Sequence, residues 1–168
     1  MRRSRLTRED SIGVYAVGNL VYVTAADGLW VVDTTDASEP QLVSHVDTTS
    51  NSWDVVVSGT TAYVGHGGGA LTTFDVSDPS NPQPLGHVFI GDWSNPVDFQ
   101  LIGDRLYSAV SCCLSVFDVT DLYNPAPLAS APLTAGSGVA NQIHREGGYV
   151  YVTTRWQGLL NYSMTCAD

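Results

Sequence analysis

A hydrophobic run closed by aspartate recurs three times in this chain: Leu29-Trp30-Val31-Val32-Asp33, Leu71-Thr72-Thr73-Phe74-Asp75 and Leu114-Ser115-Val116-Phe117-Asp118, at a period of about 43 residues. A period of this size belongs to chains built from stacked, similar units. Tyr22, Tyr63, Tyr107 and Tyr151 keep step with it, and four residues before each stands a glycine: Gly18, Gly59, Gly103 and Gly147. The pairs Gly18-Asn19, Gly103-Asp104 and Gly147-Gly148 between β-rich runs predict tight hairpins, because glycine accepts the positive φ such turns need. Short strands precede these glycines at 14–17, 55–57, 99–102 and 143–145. After each closing aspartate come a second aspartate and a proline, as Asp36 with Pro40, Asp78 with Pro82 and Asp121 with Pro125. Each proline opens a further strand, at 42–46, 85–90 and 128–133.

Each unit thus reads as four short strands, and no helix-period stretch competes. Runs such as 29–32 are apolar at nearly every position, as strands buried on both faces are. Four strands per unit at this period predict an all-β, propeller-like array of four-stranded antiparallel blades. The approximate blades are 11–48, 49–91, 92–135 and 136–168, preceded by a basic segment, 1–10, expected to be disordered.

These residues resemble the LVIVD-repeat β-propellers. The likeness rests on the endings Gly28-Leu29 to Asp33, Ala70-Leu71 to Asp75 and Cys113-Leu114 to Asp118, with the Asp-x-x-Asp-x-x-x-Pro that follows, and it covers nearly the whole chain. The fourth copy departs from the pattern: Gly158-Leu159 is followed by Ser163 in place of aspartate, and no fourth strand follows in this sequence. The expectation is an open arc or a fragment of a larger propeller, with further blades or a second chain at the exposed edge. The resemblance implies a cell-surface or extracellular protein. No signal peptide is recognisable, since no apolar core follows the arginine-rich start.

Of 168 residues, 43% are hydrophobic, enough for one sizeable core. There is no apolar run long enough for a membrane span. Seven arginines face 17 acidic residues, for a net charge of -10. Four of those arginines fall in the first eight positions, so the remaining body is more acidic still, which argues against nucleic-acid binding. The acidity reads either as solubility or as adaptation to high salt, where self-repulsion is screened.

The aspartate pairs invite a calcium reading. Their recurrence at one turn in every clean unit favours a structural role, with the side chains accepting backbone N–H bonds. The adjacent Cys112 and Cys113 are read either as a vicinal disulfide or as two thiols, with Cys166 as an odd partner. They lack zinc-ligand spacing, and neither metal nor cofactor is expected.

Function is sought in what does not repeat. In propellers of this strand order, the loops between blades and those joining second and third strands emerge on one face. That face holds Trp53, Asp54, Trp93, Asp98 and Trp156, together with His66 ahead of Gly67-Gly68-Gly69. Tryptophans beside Asn and Asp suit a protein or carbohydrate ligand, joining flat apolar area to directional hydrogen bonds; the alternative is that Trp53 and Trp93 fill space between blades. The expected function is non-enzymatic binding or scaffolding. The enzymatic alternative is a hydrolase using Asp54 or Asp98 with His66 across the channel mouth.

Overall fold

A computed structural model describes residues 12–48, 50–89, 95–110, 113–133 and 140–163. The first blade comprises β1 (Gly13–Val17), β2 (Leu20–Ala25), β3 (Gly28–Asp33) and β4 (Gln41–Asp47), and the second β5 (Ser52–Ser58), β6 (Thr61–His66), β7 (Ala70–Asp75) and β8 (Gln83–Phe89). The third holds β9 (Pro96–Ile102), β10 (Arg105–Val110), β11 (Cys113–Asp118) and β12 (Ala126–Pro132), and the fourth β13 (Ala140–Glu146), β14 (Tyr149–Thr154) and β15 (Gly158–Ser163). Each is an antiparallel sheet with its strands in chain order. The basic segment 1–10 and Cys166 lie outside the described residues.

The repeated turns explain why the units look alike. Gly18, Gly59, Gly103 and Gly147 adopt φ of 59°, 58°, 56° and 56°, which favours glycine. The carbonyls of Asn19, Thr60 and Asp104 accept from the N–H of Thr34, Val76 and Val119, at 2.8, 2.8 and 3.0 Å. This ties each first hairpin to the residue just past the closing aspartate. Those aspartates in turn cap their own bend: Asp33, Asp75 and Asp118 accept from the backbone N–H of Thr35, Ser77 and Thr120 at 2.7, 2.8 and 2.9 Å. Asp36, Asp78 and Asp121 do the same for Ser38, Ser80 and Tyr123. Side-chain and backbone hydrogen bonds hold the carboxyls of Asp33, Asp36 and Asp78 below the ordinary range. Bonds to the ionised form of an acid have that effect.

Blades pack face to face through three apolar cores. Val55 and Val57 of β5 join Tyr22, Leu29 and Val31 of the first blade, while Val56 points the other way, to a core with Phe99, Leu106 and Phe117 of the third. Leu114 and Val116 meet Ile143, Val150 and Val152 of the fourth. The middle blades are therefore buried on both sides, as their unalternating apolar strands require.

The two end faces differ. Val14, which occupies in β1 the place of Val55 in β5, is 66% exposed against 2%. Leu159, the fourth-blade counterpart of Leu71, is 64% exposed against 0%. β1 packs on β5, β5 on β9 and β9 on β13, and no comparable packing joins β13 to β1 among the described residues. The arc is open.

Candidate functional site

The strand register gathers the sequence-predicted residues along one rim. Ser52 lies opposite His66, His66 opposite Ala70, and Ala70 opposite Phe89, so the start of each innermost strand and the turn between second and third strands share an end of the blade. Asp98 and the turn residue Trp156 occupy the same end of the third and fourth blades. Trp93 and Cys112 lie outside the described residues.

Trp53, Asp54 and Asp98 are not loop residues, as expected from their Asn- and Asp-rich surroundings, but belong to β5 and β9. The innermost strands run longer than the apolar stretches suggest because a register shift at Trp53 lets pairing continue to Ser52. A bulge re-aims the strand without ending it. The two carboxylates then turn sideways into the next blade. Asp54 Oδ2 accepts from the N–H of Phe99 at 2.6 Å, and Asp98 Oδ2 from the N–H of Ile143 at 2.7 Å. Burial, with the Asp98 charge as a secondary cause, pushes the Asp54 carboxyl up to about 7. Burial raises Asp98 as well. These acids join blades.

Trp53 is half-buried, and its indole Nε1 is buried without a hydrogen-bond partner among the described residues. Trp156 is exposed, with the Arg155 guanidinium 5.2 Å from its ring centroid, within cation–π range. Cys113 opens β11, half-buried, with Sγ 3.9 Å from Ser115 Oγ.

His66 also departs from expectation. Gly67-Gly68-Gly69 point to a flexible loop, yet His66 is the last residue of β6 and is buried. Its burial is tolerated because both ring nitrogens have partners: Nδ1 is 3.3 Å from Ser50 Oγ, and Nε2 is 2.8 Å from Thr72 Oγ1. Thr72 Oγ1 is in turn 3.0 Å from Nδ1 of His87. Burial, followed by the nearby His87, lowers His66 to about 4, so it is neutral at ordinary pH.

The proton order along this chain follows from the donors available. Ser50 gives its single hydroxyl proton to the Gly67 carbonyl at 2.8 Å, so it accepts from His66 Nδ1–H. His66 Nε2, without a proton, accepts from the Thr72 hydroxyl, which accepts from His87 Nδ1–H. His87 Nε2 is left as the outer end of a polarised chain. Thr72 and His87 face each other across β7 and β8. They border a crevice of about 520 Å³ with His66, Val46 and Thr48 of the first blade, and Tyr123. The sequence did not single out Thr72, and it set His87 aside, because His45 and His87 hold equivalent places in the outer strands and so read as repeat residues. Among the described residues, no three His, Cys, Asp or Glu side chains converge as a metal site.

The LVIVD repeat model matches residues 10–48, 50–89 and 137–160. The chain belongs to the LVIVD-repeat family. The stretch between the second and third matches nevertheless folds as a blade, built from β9 to β12. This LVIVD-repeat chain is similar to solved β-propeller structures at identities that speak for the fold alone. The computationally designed Ika4 protein is 15% identical, with a TM-score of 0.73 over 98% of this chain and 99% of that one. The designed Ika8 protein is 13% identical, with a TM-score of 0.71 over 94% of this chain and 47% of that one. The Myceliophteria thermophila Cps50 (Swd1) β-propeller domain is 11% identical, with a TM-score of 0.67 over 95% of this chain and 57% of that one. This LVIVD-repeat chain thus spans about half the length of Ika8 and of the Cps50 domain. No curated protein matches it in sequence.

Proposed function

We propose that this LVIVD-repeat segment is a non-enzymatic binding module that takes a hydroxyl-rich carbohydrate ligand in the rim crevice beside His87. The observation that carries this reading is the hydrogen-bonded chain from His87 through Thr72 and His66 to Ser50. It presents a fixed polar end in a concave space bordered by the exposed aromatic Tyr123. Pockets with a few placed polar groups among apolar walls suit small ligands. The net charge of -10 favours neutral ligands over phosphorylated ones. A protein ligand is the second reading, favoured by the exposed Trp156 under Arg155, residue types enriched at interface hot spots. The hydrolase alternative is weakened by geometry: Asp54 and Asp98 are engaged with backbone N–H groups of the next blade, and His66 is buried with both ring nitrogens already partnered. A cell-surface or secreted location is proposed with it, on the family resemblance.

Binding to a panel of immobilised neutral glycans tests the site. Thr72→Val and His87→Ala are expected to abolish capture while the protein stays folded, and Trp156→Ala to leave it unchanged. Loss only with Trp156→Ala would move the site to the fourth-blade turn, and capture that survives both crevice substitutions would refute the reading.

A further inference from the structure

We infer that two copies of this chain associate head to tail, the fourth blade of each against the first blade of the other, into one closed ring. Four blades here have three cores between them, and the two surfaces left over are the halves of a fourth. Val14 stands at the first-blade position that Val55, Phe99 and Ile143 occupy in the filled joints, and those three are buried. Leu159 stands where Leu29, Leu71 and Leu114 are buried. Tyr151, equivalent to the buried Tyr22, Tyr63 and Tyr107, is only half-buried. One end face is thus the knob side of a blade joint and the other its socket.

The polar part of the joint is also complete. Asp54 and Asp98 each accept from the N–H one position further along the innermost strand of the following blade. Gln142 holds their register position in β13, opposite Thr153 as Asp98 is opposite Ala109. Its side chain is exposed. Its amide oxygen can accept from the N–H of Val14 in a second copy, as Asp98 does from Ile143. Gln100 sets a precedent for an amide in such a joint, since its Oε1 takes the N–H of Arg145.

A ring of about twice this size has room for one further copy of the same size. The four blades superpose on 47% of the Ika8 chain, so a chain of about twice this length accommodates the same arc. Unlike faces that meet after a half turn close into a two-membered ring, which leaves neither face exposed. Closure also removes the exposed apolar area that single chains carry at both ends.

Sedimentation equilibrium of the full chain at micromolar concentration and 0.15 M salt, where like charges are screened beyond about 8 Å, is the test. The expected mass is twice 18.0 kDa. Val14→Asp and Leu159→Asp alter exposed positions, so each variant is expected to fold, by circular dichroism, and to sediment as a single chain. An equimolar mixture of the two is expected to regain the double mass, because the intact ends of the unlike variants form one sound joint. A wild-type chain that stays single, single variants that still pair, or a mixture that does not recover would each overturn the inference.

Discussion

Asp54 of the second blade accepts a 2.6 Å hydrogen bond from the backbone N–H of Phe99 in the third, and the bond recurs one blade later between Asp98 and Ile143. A propeller needs something besides apolar contact to hold adjacent blades in register, because sliding one flat apolar face over another costs little. A directional bond between innermost strands supplies that. The first joint uses a different device: Gly13 occupies the position of Asp54, and its missing side chain lets the backbone at Trp53 and Asp54 come close.

The Asp54 joint makes stability depend on pH in an unusual direction for an aspartate. Its folded-state value lies near 7, above the unfolded 3.8, so the folded chain binds the extra proton between those limits. The contribution is fully present below pH 3.8 and is lost as pH rises through 7. Stability is expected to fall by up to about 1.4 kcal/mol per pH unit across that window. The turn aspartates act oppositely: their lowered values make their contribution present above pH 3.8 and lost as pH drops below it. Urea unfolding from pH 4 to 8 checks this. Asp54→Asn, which keeps an acceptor without the charge, is expected to flatten the curve and to be more stable than wild type at pH 8.

Asp98→Ala tests the same bond at the third joint. Removal of the carboxylate leaves the Ile143 N–H buried without its partner, for an expected loss of about 1–3 kcal/mol. Asp98→Asn is expected to restore most of it. Equal destabilisation by both variants in denaturant titrations would show that the charge, not the hydrogen bond, is what the joint requires.

Calcium is expected to leave the melting temperature unchanged at millimolar concentration. In each pair one carboxylate oxygen is already bonded to the N–H two residues on, as in Asp75 with Ser77 and Asp78 with Ser80. No group of three His, Cys, Asp or Glu side chains gathers among the described residues, whereas calcium takes six to eight oxygens. A calcium-dependent rise in differential scanning calorimetry would contradict this.

What could be read from the sequence is what the chain settles locally. The hairpin glycines, the aspartate turns and the prolines ahead of β4, β8 and β12 act within a few residues of themselves, and the structure has each where the repeat put it. Asp54 and Asp98 resisted reading because their partners lie 45 residues away, in another blade. Seen in one copy, an aspartate beside tryptophan looks like a ligand contact. His66 misled for the same reason: Gly67-Gly68-Gly69 follow it in the chain, but Ser50 and Thr72, which hold it buried, come from other strands and turns. Ser163 in place of the fourth aspartate marked only where that copy departs from the repeat, because the aspartate caps a local bend and takes no part in packing between blades. The exposed end faces required the packing itself.

Gly13 is the most demanding test of the first joint. A side-chain carbon there would lie 2.6 Å from Thr24 Oγ1, 2.8 Å from the Trp53 carbonyl oxygen and 2.9 Å from Asp54 Cα. Thr24 cannot simply rotate away, because its Oγ1 accepts the Gly13 N–H at 2.9 Å. The other two obstacles are backbone, so relief requires the first and second blades to separate. Gly13→Ala is expected to cost about 1–3 kcal/mol through overpacking. By contrast, Gly148→Ala meets nothing within 4 Å and is expected to be near neutral. Thermal unfolding of the two variants side by side separates joint packing from a general effect of adding a methyl group, and equal shifts would rule out a tight first joint.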